Sequence, residues 1–600
     1  MSKRGAFTLL LVLTLVATIV TACGPTPVPT AAPQPTQVEA QPTAMPQPTD
    51  TVAPGSDKQG GTLVLGFYQE PELLNSLIRT QTVASWAGDF MESALVDAAP
   101  DGSFYAQLAK EVPTIQNGGV SEDGLTIKLN LHEGYLWEDG VEFTCDDVVF
   151  TWQTYVNPDS GAVSTTGWED VESITCPDKY TAVVKFTKFY APYLAMLSNP
   201  VIPSHLGLDP AKMQEWEFNR KPLSLGPYKL QEWVSGDHMT LVRNENFWAW
   251  KTEGKPYVDT IILRWIESRE VGKQLIQTGE LDFLWDLVEA DIPEAKTWSG
   301  VVVSNPPSTG TERLLLNLAD PTLDAPCADA LRANPAPHWA LGDPKVREAI
   351  ELGIDKATIN DKLLYGLATV GTAELNLGWA KADIPPSEYN PDKAMALLEE
   401  AGWTDTNGDG IRECDGCANA EEGRELKLKI QTTSGNALRE QCEQVIQEML
   451  KGVGIDLYIE NVTSDELFGS YSGGAFRKHG QFDILMYTTT YGTDPHSQMD
   501  GYYASYNIPC DDNSGTGFNY SRWISDEFDQ QMAIAGSSPD LAVRKAAYQR
   551  GSELIAEGRP HIYLYDRADI DLLRERFKGY ENNIWTSTGS WNAEDWYIQE

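Results

Sequence analysis

Beyond about residue 60 the apolar positions recur with two periods, one near 2 and one near 3.6, which predicts strands interleaved with helices. The first strand signal is Thr62-Leu63-Val64-Leu65. Over residues 125–131, Leu125, Ile127, Leu129 and Leu131 alternate with polar residues, as a half-buried strand requires. Further extended runs cover residues 181–186, 228–232 with 239–243, and 260–266. Helices are predicted between them, at residues 146–155 and 271–279. The second of these closes on Gly279, and Glu280-Leu281-Asp282-Phe283 leads into a strand.

The later half has sharper punctuation. Asp343-Pro344 supplies an N-cap and a proline at the first helical position, opening a helix that turns Val346, Ile350 and Ile354 to one side. Asp355 caps another helix, with Ile359 and Leu363 inward and Gly366 closing it. Residues 424–431 alternate Leu426, Leu428 and Ile430. Residues 436–452 then place Leu438, Cys442, Val445, Met449 and Leu450 at helical spacing, and Ile455, Leu457 and Ile459 make the next strand. This is a β-α-β unit, so part of this half is a parallel sheet. A helical stretch at residues 464–470 precedes a strand at 482–487. The segment after it, Thr488 to Pro495, stands at the carboxyl end of that strand, where open α/β sheets bind ligands. Thr489, Tyr491 and Asp494 offer it a hydroxyl, an aromatic face and a carboxylate.

The N-terminus sets the compartment. Lys3 and Arg4, an apolar run over residues 6–20 and Val20-Thr21-Ala22-Cys23 form a secretory signal, too short and wrongly flanked for a membrane span. The tripeptide ending at Cys23 resembles the lipobox of bacterial lipoproteins, which implies cleavage before Cys23 and acylation of its thiol. Each buried acyl methylene contributes about 0.8 kcal/mol, so several chains hold a protein at a membrane. Residues 23–58, rich in Pro, Thr, Gln and Ala, bury too little apolar surface to fold and read as an extended tether.

The roughly 540 residues that remain exceed a single core and call for two or three lobes. A net charge of −42 excludes a nucleic-acid-binding surface, which needs clustered Lys and Arg. Export permits disulfides, and of eight cysteines seven follow Cys23, an odd number that leaves at least one thiol unpaired within the chain. Cys145 and Cys176 fall in one β-rich segment and are expected to pair. Cys414 and Cys417 form a CxxC in a Gly/Asp-rich loop with no second CxxC or nearby His, so a loop-clipping disulfide is expected there and zinc is not. Just before it, Asp405, Asn407, Asp409, Ile411 and Glu413 match the opening positions of an EF-hand-type calcium loop, although Gly416 stands where the bidentate acid belongs. A structural calcium is the cofactor this loop suggests; none is required for function. The chain has no G-x-S-x-G elbow, no H-E-x-x-H and no phosphate-binding G-x-x-x-x-G-K-[ST] loop, and its histidines lack ligand spacing. No catalytic residues are assigned. A secreted hydrolase acting through paired carboxylates and a surface adhesion lipoprotein are the competing classes.

One stretch is distinctive. Leu108-Ala109-Lys110-Glu111 followed by SEDGLTIKLNLHEGYLWEDGVEFTCDDVVFTW (residues 121–152) closely resembles a signature of the family-5 extracellular solute-binding proteins, the oligopeptide- and dipeptide-type receptors of ABC importers. The likeness continues through Leu225-Gly226-Pro227-Tyr228, Arg243-Asn244-Glu245-Asn246-Phe247-Trp248, residues 254–263, residues 345–356 and residues 396–403. The resemblance implies a two-lobed, hinged, periplasmic-binding-protein-like α/β fold of type II, with an extra β-rich subdomain. Beyond the signal at 1–22 and the tether at 23–58, it places lobe I at 59–305 plus 570–600, and lobe II at 306–569. It implies a monomeric receptor at the outer face of the cell membrane that closes on a small solute, a peptide first, and delivers it to a permease with separate ATPase subunits. In peptide-binding relatives a carboxylate just before the Asp-Pro holds the α-amino group. Tyr491 stands there, with Asp494 available as a substitute. A basic residue that meets the dipeptide carboxylate would fall near Gln431. Other relatives take oligosaccharides, metal chelates or opines, and Tyr491, Trp379 and Trp86 would suit stacking on such a ligand.

Overall fold

A computed structural model of the chain describes residues 58–599, apart from Ser470, Ser472, Ser514 and Ser587. The signal, Cys23 and the tether lie outside the described residues.

Two sheets carry the molecule. The first has seven strands in the order Val301–Ser304, Asp571–Arg574, Phe283–Leu284, Thr62–Phe67, Thr260–Trp265, His238–Arg243 and Tyr228–Val234. Thr62–Phe67 is central and parallel to both neighbours, with Thr62 opposite Thr260 and Leu65 opposite Phe283. Its continuous apolar run fits a strand covered on both faces: Leu63, Leu65 and Phe67 face one core, Val64 another. The second sheet has six strands in the order Thr369–Val370, His561–Ala568, Pro307–Leu316, Ile484–Thr489, Lys427–Gln431 and Asp456–Ile459. Lys427–Gln431 and Asp456–Ile459 pair in parallel and are joined by the helix Ala437–Lys451. Asn436 caps that helix by accepting the Arg439 amide, and Cys442, Ile446 and Leu450 seat it on the sheet. This is the β-α-β unit that the alternation predicts.

The extra subdomain is a three-stranded antiparallel sheet, Thr126–Asn130, Thr181–Phe186 and Val171–Asp178, around a core that includes Trp137, Phe143 and Trp168. The helix Cys145–Val156 packs on it. Thr144 and Asp147 open this helix as a capping box, each side chain accepting the other's backbone N–H. Cys145 is thus the first residue of a helix rather than part of a strand, and it is bonded to Cys176 on Val171–Asp178. Cys414 is bonded to Cys417, and a third bridge, Cys327–Cys510, joins residues far apart in sequence. Cys442 is left as a buried free thiol. The helix expected at 464–470 is shorter, Ser464–Phe468.

The chain leaves the first sheet after Ser304, enters the second at Pro307, leaves that at Ala568 and re-enters the first at Asp571. Phe577 and Trp596 of the final segment then pack into the first sheet's core with ring centroids 5.0 Å apart. No helix among the described residues is long and apolar enough to cross a membrane.

Candidate functional site

Two passages join the sheets, residues 305–306 and 569–570, and the second of them lines a cleft. There lies a cavity of about 340 Å³ walled by Trp86 and Trp285 from the first lobe, Gly310, Thr488 and Thr490 from the second, and Arg567 to Asp571, which run from the end of one sheet across the return passage to the other. A neighbouring cavity of about 250 Å³ is walled by Arg79, Asp89, Glu92 and Asp97 with Thr493 and Trp585. The C-terminal segment runs between the two: Asn582, Ile584 and Thr588 face the larger cavity, Trp585 and Thr586 the smaller. A ligand here touches both lobes, the condition for it to favour a closed arrangement.

The larger cavity carries polar and charged groups among apolar ones. On its second-lobe wall the Thr488 hydroxyl donates to Glu312 at 2.5 Å, and Arg439 binds Glu312 at 2.9 Å behind it. Near the end of the strand His561–Ala568, Arg567 reaches Glu289 of the first lobe at 3.2 Å. Asp571 is buried and accepts from the Tyr580 hydroxyl at 2.8 Å and the Asp286 amide at 3.2 Å. Burial lifts its carboxyl to about 7, against the pull of the Tyr580 bond. Asp286, in a left-handed conformation at φ 58°, pairs outward with Arg269 at 3.0 Å.

The smaller cavity is acidic. Arg79 bridges Glu92 at 2.8 Å and Asp89 at 3.6 Å, and Asp89 also accepts the Thr588 hydroxyl. Burial raises Asp89 to about 7 despite Arg79, and raises Asp97 to about 6 although the Ala98 amide binds it at 2.8 Å.

Of the six residues expected to touch ligand, Trp86 alone walls either cavity. Strand alternation corrects the position of Thr489: Thr488 and Thr490 point into the cleft, while Thr489 turns the other way, toward Gln498. The Tyr491 hydroxyl donates to Asn376 at 2.7 Å and receives the Leu377 amide at 2.8 Å, so the phenol ties down a loop. Asp494 is paired with Arg544 at 2.7 Å, and Arg544 donates to the Ala191 carbonyl of the first lobe at 2.8 Å. Trp379 donates its indole N–H to the Thr493 carbonyl at 3.0 Å. The Gln431 amide donates to Glu460 at 3.2 Å. What residue-by-residue reading missed is the run Arg567, Asp569, Asp571. Its two-residue spacing was visible, but only the packing of two sheets shows that this run lines a cleft.

The Asp405–Glu413 loop gathers the carboxylates of Asp405, Asp409 and Glu413 within 4.8 Å of one another. Asp405 accepts the Gly408 and Gly410 amides at 2.7 and 3.1 Å, Asp409 accepts the Ile411 amide at 2.9 Å, and Glu413 accepts Thr406 and the Asn407 amide.

Residues 103–509 match the model of the bacterial extracellular solute-binding proteins, family 5 (middle region). The chain belongs to that family, and is therefore an exported two-lobed receptor for a solute, not an enzyme. It is 27% identical over 555 residues to the oligopeptide-binding protein AppA of Bacillus subtilis, covering 91% of this chain and 93% of that one. The solved structure of AppA with a nonapeptide superposes with a TM-score of 0.60 at 26% identity, covering 90% of this chain and all of that one (100%). The chain is also 23% identical over 507 residues to di/tripeptide-binding protein 2 of Pseudomonas aeruginosa, covering 80% and 85% of the two. Among solved folds it resembles NikZ of Campylobacter jejuni in complex with Ni(L-His), with a TM-score of 0.64, 23% identity and coverage of 89% and 99%.

Proposed function

We propose that this protein captures peptides in the cleft and presents them, in the closed form, to the permease of an ABC importer. The observation that carries the reading is the larger cavity, walled by side chains of both lobes and of the passage between them. The kinship with AppA over nearly the full length supports peptides as the solute. Lobe I is taken as residues 59–305 plus 570–600 and lobe II as 306–569, with the two passages as the hinge. A thermal-shift screen of the protein from residue 24 onward, against peptides of two to nine residues, tests it. A peptide at a hundred times its Kd adds about 2.7 kcal/mol of stability. A melt moved by sugars or metal chelates and by no peptide would overturn the peptide assignment.

The same reading has the protein monomeric and anchored through acylated Cys23, the tether lifting the body from the membrane. Cys23→Ser should move it from the membrane to the soluble fraction, and continued tight association would refute the anchor. The Asp405–Glu413 loop is assigned a structural calcium held by Asp405, Asn407, Asp409, the Ile411 carbonyl and Glu413, bracing the surface next to Cys414. Calcium added to chelator-treated protein should raise its melting temperature, and Asp409→Ala should remove that rise.

A further inference from the structure

The hydroxyls that line the larger cavity from the second lobe differ in what they can still do. Ser308 accepts the Gly310 amide at 3.1 Å, and among the described residues it gives its proton to nothing. Thr490 is exposed, and among the described residues its hydroxyl makes no hydrogen bond. Thr488 is bound on two sides by charged groups, and these fix the direction of every bond it makes.

Sheet register builds this arrangement. Thr488 stands directly opposite Glu312 on the antiparallel strand Pro307–Leu316, so the two side chains share a face. Glu312 is buried and is held by Nε of Arg439 at 2.9 Å. Arg439 projects from the first turn of the helix Ala437–Lys451, and its other two nitrogens donate to the Thr433 and Thr488 hydroxyls, each at 3.2 Å. An ion-paired carboxylate can only accept, and a guanidinium can only donate. Thr488 therefore gives its one proton to Glu312 at 2.5 Å and takes an N–H from Arg439. A hydroxyl has one proton and two lone pairs, so a single lone pair is left for the cavity. A ligand N–H can be bound there. A ligand carbonyl would meet it lone pair to lone pair.

Building on the peptide reading, we infer that Thr488 accepts a backbone amide N–H of the ligand, and that Glu312 and Arg439 are positioning residues that keep its hydroxyl from donating. The three side chains are bonded to one another before the ligand arrives, so the direction costs the ligand no reordering. The wall thus fixes which edge of a peptide unit faces the second lobe at this point.

The test is calorimetry with whichever alanine peptide of three, six or nine residues binds the wild type most tightly, and with analogues in which each amide N–H in turn is replaced by an ester oxygen. At one position the ester should weaken wild-type binding about tenfold, because it leaves the Thr488 lone pair without a donor. Thr488→Val should bind the all-amide peptide about tenfold more weakly and lose the penalty for that ester, while Thr488→Ser should keep both. Glu312→Gln offers the hydroxyl a donor in place of an acceptor and frees its proton, so the preference for amide over ester should shrink or reverse. An ester penalty that is the same in wild type and Thr488→Val at every position would overturn the contact while leaving peptide capture intact. Undiminished amide preference in a folded Glu312→Gln variant would overturn the role given to Glu312. Thr488→Val and Thr488→Ser leave the Glu312–Arg439 pair whole, so they decide the contact even if Glu312→Gln does not fold. If the wild type binds none of these peptides and no other peptide, the function itself is wrong and this contact falls with it.

Discussion

Asp494 and Arg544 bury their charges together, with side chains 7% and 2% exposed. Such a pair is costly to break from one side, because the remaining charge keeps its desolvation penalty without its partner. Asp494→Asn is expected to destabilise the protein by about 3–5 kcal/mol in urea titrations. A loss under 1 kcal/mol would mean the pair is solvated. Protonation acts in the opposite sense at Asp89 and Asp571. Burial raises both from 3.8 to about 7, so the folded state holds protons that the unfolded chain releases. Their contribution to stability is fully present below about pH 4 and is lost as the pH rises through about 7. Asp571→Asn keeps the shape and removes the titration. The stability difference between it and the wild type should therefore move in the variant's favour from pH 4 to pH 8, and a constant difference would contradict the lifted carboxyl. At this scale the sequence showed residue types but not their directions. Thr489 and Thr490 read alike until the pairing of Ile484–Thr489 with Pro307–Leu316 fixed which of them meets the cleft.

Elements were more legible than residues. Asp343, Asp355 and Asn436 each announce a helix, and each accepts an amide of the first turn, from Lys345, Thr358 and Arg439. Asn436→Ala should cost about 1 kcal/mol, because it leaves a first-turn amide unpaired in the β-α-β unit, and equilibrium unfolding measures it. The alternation of Leu426, Leu428 and Ile430 was readable for a related reason: all three are fully buried, so selection for burial wrote the period into the chain. Cys327–Cys510 was not readable. Its cysteines stand 183 residues apart, and nothing local marks them as partners. Closing so long a loop removes much unfolded-chain entropy, and the double variant Cys327→Ser/Cys510→Ser should lose about 2–5 kcal/mol. An unchanged unfolding midpoint would show that the bridge adds nothing.

For the molecule as a whole, Trp585 makes contacts on both sides of the cleft. Trp585 is held to the first lobe through its indole N–H on the Pro100 carbonyl at 3.1 Å, and it meets Tyr491 of the second at 5.9 Å. Gly378 is needed there: a Cβ at this position, already at φ 83°, would lie 2.8 Å from the Trp585 ring. Trp585→Ala should open the ligand-free population and weaken peptide binding, with a larger radius of gyration in scattering. Wild-type dimensions in the variant would show that the tryptophan does not hold the lobes.

By itself the amino-acid sequence determined the alternation of strands and helices, the helix caps and the family, because each is written in local patterns or in contiguous motifs. Only the tertiary structure decided which residues face the cavity. The cleft is built where two sheets, the return passage and the C-terminal segment converge, so a side chain's role there depends on the register and direction of its neighbours. That is why Tyr491 and Asp494 became struts of the second lobe, while Asp569, unremarkable in the chain, stands open to the cavity.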